Sequence, residues 1–115
     1  MLSQTLTLEH EEERGRKAED PFLTAVRSTI RYAFQPIVNI TSGSSYGFEA
    51  LLRGQEGLGF TTITSLFDYA HERGLLHRLE LTLRELAIQG FLSIKATRGC
   101  RLFFNLDNRV LDAPD

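Results

Sequence analysis

Three polar residues interrupt apolar runs: Glu49 and Arg53 within FEALLR (48–53), and Asn105 within LFFNLD (102–107). A carboxylate and an amide carbonyl are hard oxygen donors, suited to Mg²⁺ or Mn²⁺ rather than to zinc held by thiolates. A guanidinium binds phosphate through charge-assisted hydrogen bonds. A plainer reading competes: Glu49 and Arg53 on a solvated sheet face or salt-bridged to each other, with Asn105 satisfying a structural hydrogen bond. If Asn105 is buried it needs such a partner, since an unsatisfied amide costs roughly 1–3 kcal/mol. Other candidate sets fail. His71 and His77 are six residues apart and do not share a helical face at ligand distance. Cys100, at a strand start, reads as a small buried hydrophobe. The loop GQEGLG (54–59) has neither the Gly-Lys-Ser/Thr ending of a P-loop nor dinucleotide-fold spacing, and reads as a flexible connection.

The elements that carry these residues decide whether they meet. Two apolar runs joined by the short turn Thr41 to Ser45 predict an antiparallel hairpin. Strand alternation puts Gly47, Glu49, Leu51 and Arg53 on one face and Tyr46, Phe48, Ala50 and Leu52 on the other. A last strand, Cys100 to Asp107, puts Arg101, Phe103, Asn105 and Asp107 on one face and Leu102, Phe104 and Leu106 opposite. Pro36 lacks a ladder donor and favours an edge strand.

Asp20-Pro21 starts a helix whose stripe of Phe22, Val26 and Ile30 runs to about Arg31 and docks beneath the strand beginning near Tyr32. A second helix runs from Thr62, with Ile63, Leu66, Phe67 and Ala70 on its stripe, to a left-handed stop at Gly74. A third carries Leu76, Leu79, Leu83, Leu86 and Ala87, uses Gly90 for close packing, and fades between Ala96 and Gly99. Strand, helices and strand in that order imply a right-handed crossover to a parallel strand. That order is the growth pattern of a (β/α) barrel, so the fold class is α/β, opening with an antiparallel β-hairpin followed by two helices and a further strand. Functional residues in such barrels gather at the C-terminal ends of the parallel strands.

Composition narrows the function classes. A chain of 115 residues, 42% hydrophobic and 24% charged, is ordinary for one globular domain. A net charge of −2 offers no basic surface for DNA or an anionic membrane. The single Cys100 cannot form an internal disulfide, and no signal-length or spanning apolar run occurs, so a cytoplasmic protein is expected. Residues 1–20 read as a flexible or frayed helical leader, with Glu12/Arg16 and Glu13/Lys17 at i,i+4 and Gly15 interrupting. Residues 21–115 form the folded part.

The ordered set Gln35-Pro36-Ile37-Val38, Gly43 in the turn, Glu49-Ala50-Leu51, Arg53 and Asn105 resembles the opening third of the EAL domain, the family of bacterial phosphodiesterases that hydrolyse cyclic di-GMP. The tripeptide alone carries no weight, because its residues are common helix formers; the order of the whole set does. The resemblance implies an incomplete (β/α)8 TIM-type barrel in which Glu49 is catalytic and, with Asn105, ligates Mg²⁺ or Mn²⁺. It implies that Gln35 and Arg53 bind the substrate and that Leu51 offers an apolar contact beside it. A metal there would acidify a bound water and neutralise a phosphoryl oxygen, the two needs of phosphodiester hydrolysis to linear pGpG.

The family's later acidic ligands, including a double-aspartate motif, and its lysine follow the asparagine, and the sequence stops at Asp115. A complete barrel takes about 250 residues. The 115 residues alone are therefore expected to hold metal weakly or not at all and to hydrolyse nothing. Their open sheet edge after Asp107 is expected to invite self-association or a partner protein. Two alternatives stand beside a truncated phosphodiesterase. One is a degenerate module acting as a non-catalytic cyclic di-GMP sensor or protein-interaction domain; the other is an unrelated small α/β domain.

Overall fold

Asp20 ends the chain's approach to the first helix by accepting a hydrogen bond from the Phe22 N–H at 2.8 Å, and Pro21 supplies the fixed φ of the first turn. Helix α1 spans Pro21–Thr29. It stops short of the expected Arg31 because Ile30 is already extended, with φ −75° and ψ 139°. The computed structural model describes residues 19–43, 45–94, 99–105, 107 and 109, so most of the expected leader lies outside the described residues. Leu23, Val26 and Ile30 are buried, α1 packs on the third helix and a 3₁₀ turn, and Tyr32 at the start of the first strand packs against the same core.

Strand β1 (Arg31–Val38) pairs antiparallel with β2 (Ser45–Arg53). Asn39 shapes the turn, its Oδ1 accepting from the Thr41 and Ser42 N–H groups at 2.9 and 3.2 Å. Ile37 faces Gly47 but Val38 faces Ser45, so a bulge adds one residue to β2 beside the turn. Among the described strands β1 is an edge, as Pro36 requires. Strand β3 (Arg101–Phe104) runs parallel to β2 on its other side. It is shorter than the predicted Cys100 to Asp107, and Asn105 sits just past its end.

The expected flexible loop after β2 is structured. Gln55–Leu58 makes one 3₁₀ turn between Gly54 and Gly59. Helix α2 (Ile63–Glu72) opens on a capping box: Thr62 Oγ1 accepts from the Ser65 N–H at 3.1 Å, and Ser65 Oγ accepts from the Thr62 N–H at 3.3 Å. Gly74, at φ +70°, turns the chain into α3 (Leu76–Leu92). Helix α3 ends before the predicted Ala96 to Gly99; Ala96, Thr97 and Arg98 lie outside the described residues.

The helices cover one face of the sheet. Leu52 joins Leu23, Val26, Ile30, Leu66, Ala70, Leu75, Leu76, Leu79 and Leu83 in a continuous core. Beside it Phe91 packs on Phe34 and Phe48, with ring centroids 5.7 and 5.9 Å away. Gly90 permits that approach: a Cβ there would stand 3.2 Å from the Phe34 ring. Tyr32 stacks on Phe104 at 5.8 Å. Burial, with a smaller contribution from the Glu80 charge, raises the Tyr32 hydroxyl well above the usual tyrosine range. Glu80 itself is buried and paired with Arg84 one turn on. His71 and His77 are exposed, and Cys100 is half-buried rather than buried. No described helix is long and apolar enough to cross a membrane.

Candidate functional site

The face of the sheet turned away from the helices carries the polar residues. Register sets Gln35 opposite Glu49, Ala33 opposite Leu51, and Arg31 opposite Arg53. Residues facing one another across an antiparallel pair project to the same side, so all six belong to one surface. On the far side of β2, Glu49 faces Phe103. Two residues beyond Phe103, the Asn105 amide donates from Nδ2 to Glu49 Oε2 at 3.3 Å. Acid and amide, 56 positions apart in the chain, thus meet on the open face.

Gly47 makes that meeting possible. A Cβ at this position would stand 2.7 Å from the Arg101 carbonyl oxygen and 2.9 Å from the Phe103 ring. No side chain fits there without moving β3, and β3 leads directly into Asn105.

Of the plainer readings, the solvated sheet face agrees with the structure, while a salt bridge between Glu49 and Arg53 and a buried, structurally bonded Asn105 do not. Among the described residues neither Glu49 nor Arg53 enters an ion pair. Arg53 instead donates from Nη1 to the Leu52 carbonyl at 2.9 Å. Asn105 is exposed, so its contact with Glu49 does not serve to satisfy a buried amide. Gln35 and Arg53 are exposed, and Glu49 and Leu51 are partly covered.

The segment after Asn105 is tied down by an arginine. Arg109 donates from Nε and Nη2 to the two oxygens of Asp107 at 3.0 and 2.8 Å, and from Nη1 to Asp68 Oδ1 on α2 at 3.0 Å. The Asp107 carboxyl also accepts from the Arg109 N–H at 2.9 Å. These hydrogen bonds hold Asp107 below the usual carboxylate range and raise Arg109, although burial opposes both shifts. The strut joins the chain just beyond Asn105 to the second helix.

Glu49 and Asn105 fit a small divalent cation in donor type. One carboxylate and one amide oxygen, completed by water and a ligand phosphate, is a familiar Mg²⁺ environment. Turning the Asn105 amide about its last bond would present Oδ1 beside the Glu49 carboxylate in place of the N–H. No group of three His, Cys, Asp or Glu side chains placed to hold a metal occurs among the described residues.

At the C-terminal end of β2 lies a cleft of about 480 Å³, lined by Arg31, Arg53, Gln55 and Glu56 among others, with Ile63 from the start of α2. Ile63, expected on the buried stripe, is exposed there. Arg31, Arg109 and Asp68 escaped the sequence reading. Arg31 was recoverable in principle, because pairing Gln35 with Glu49 also pairs Arg31 with Arg53; the arginine strut leaves no sequence signal.

The family model for the EAL domain matches residues 21–115. No curated protein and no solved structure gives a match to the chain.

Proposed function

The chain belongs to the EAL-domain family, and from that premise we propose that it is the N-terminal portion of a phosphodiesterase domain, binding cyclic di-GMP along the open face of its sheet. At the level of the family, EAL domains are cyclic di-GMP phosphodiesterases of TIM-barrel type that generally depend on a divalent metal. The observation that supports the reading here is the contact between Glu49 and Asn105, with Gln35 opposite Glu49 on the same surface.

Each residue then has a task. Glu49 and Asn105 hold Mg²⁺ or Mn²⁺, which when bound supplies water activation and charge neutralisation at the phosphoryl group. Glu49 is the catalytic residue of the set, through the metal it would hold. Gln35 hydrogen-bonds the ligand from β1, and Leu51 gives it an apolar contact. Arg53 lies four residues along β2 from Glu49, roughly 13 Å at 3.3 Å per residue. With the reach of its side chain, Arg53 can meet a phosphate of a ligand that also meets Glu49.

The described donors suit binding better than turnover, because no group of three His, Cys, Asp or Glu side chains placed to hold a metal occurs among the described residues. The 115 residues alone are therefore read as binding cyclic di-GMP without hydrolysing it, which is where the sensor alternative keeps its force. Calorimetry of the full chain with cyclic di-GMP tests this, with and without Mg²⁺. Binding that tightens with Mg²⁺, and loses the Mg²⁺ effect in Glu49→Gln, is the expected result. Binding indifferent to both Mg²⁺ and Glu49 would remove Glu49 from the metal role.

A further inference from the structure

Two arginines are register partners at the end of the hairpin, Arg31 of β1 opposite Arg53 of β2, and both line the cleft there. Like charges so placed destabilise a strand pair. Among the described residues neither is relieved by an acid: no ion pair involves Arg31 or Arg53. Glu56 lines the same cleft without pairing with either, so these two cations and one anion leave an excess of one positive charge. The Arg31 Nη1 lies beside Gly54, 3.5 Å from where a Cβ would stand, while the Thr29 carbonyl oxygen, 2.6 Å from that point, is what keeps the position a glycine.

We propose that Arg31 is a second anion-binding residue, forming with Arg53 a two-guanidinium clamp for a phosphate group of the ligand in the cleft at the end of β2. An anion between the two groups removes their mutual repulsion and replaces it with charge-assisted hydrogen bonds from both sides. The proposal rests on the reading of the ligand as a phosphodiester. It adds that the ligand is gripped at a second point, on β1, away from Glu49 and Asn105.

The test uses the full chain, with Arg31→Gln, Arg31→Lys, Arg53→Gln and the Arg31→Gln/Arg53→Gln double variant, and two probes. Inorganic pyrophosphate, followed through amide shifts at Gly54 and Gln55, probes the clamp itself. Cyclic di-GMP, followed by calorimetry, probes the ligand reading. Arg31→Gln should weaken pyrophosphate binding about tenfold, with partial recovery in Arg31→Lys, and the loss should shrink as salt screens the cleft. Its melting temperature should stay level or rise, because a repulsion is removed; a purely structural arginine would lower it.

Pyrophosphate affinity of Arg31→Gln within twofold of the parent chain, or no shifts at Gly54 and Gln55 in the parent, overturns the clamp. Pyrophosphate binding that depends on Arg31, in a chain that ignores cyclic di-GMP, supports the clamp and overturns the ligand reading. Weakening of both probes by Arg31→Gln supports both.

Discussion

The two faces of the three-stranded sheet differ in almost every respect. Toward the helices, Tyr32, Phe34, Phe48, Ala50, Leu52 and Phe104 are covered, and Ala50 and Leu52 are only 2% and 7% exposed. Away from them, Gln35, Arg53 and Asn105 are exposed, and the contact holding Glu49 is a single hydrogen bond. Strand alternation puts both sets on the same three strands, so one element carries the core on one side and the candidate site on the other. Substitutions on the covered face should change unfolding free energy and leave the ligand preference alone; those on the open face should do the reverse.

The largest effect tests the covered face. Leu79 is fully buried, and Leu79→Ala should cost about 2–5 kcal/mol in urea unfolding, from lost transfer energy and the cavity left behind. A loss under 1 kcal/mol would mean that the core is looser than described. Gly47→Val blurs the division, because Gly47 belongs to the open face yet controls the approach of β3. It should destabilise by about 1–3 kcal/mol through overpacking and also separate Glu49 from Asn105, losing Mg²⁺-dependent ligand binding. Retained binding at parental stability would show that β3 has another way to approach.

Glu49→Gln sharpens the contrast. Its stability should stay within about 0.5 kcal/mol of the parent, as for partly exposed residues without a buried ion pair, while the Mg²⁺ effect on binding disappears. The smallest expected effect is at Asp107. Arg109 holds the folded carboxyl below its unfolded value near 3.9, so its contribution is complete above that value and is lost as pH falls through the lower folded one. Urea midpoints measured from pH 5 downward should fall less steeply in Asp107→Asn than in the parent. Equal slopes would show that the strut carries no weight.

Much of this division was legible in the sequence, for a physical reason. Alternation about Phe48-Glu49-Ala50 and Phe103-Phe104-Asn105 is a property of extended chain, so the facing of Glu49 and Asn105 followed once both segments were strands in parallel neighbours. Helix starts at Asp20 and Thr62 were visible because capping uses side-chain oxygens at fixed positions. Arg31 could be placed only by pairing Gln35 with Glu49, not by counting from the turn. The register of a hairpin is set by its turn, and the bulge beside Val38 shifts the count by one residue, which exchanges the faces if counted from the turn. The 3₁₀ turn at Gln55–Leu58 has no apolar period to announce it, and the reach of Arg109 to Asp68 depends on tertiary packing alone.

Mn²⁺ titration of the isotope-labelled chain, read as paramagnetic broadening residue by residue, tests most directly whether Glu49 and Asn105 share a cation. The account expects the Asn105 side-chain amide and the Glu49 backbone amide to broaden first, and Glu49→Gln to abolish the effect at both. Broadening that spreads over exposed acids while sparing Asn105 would contradict it.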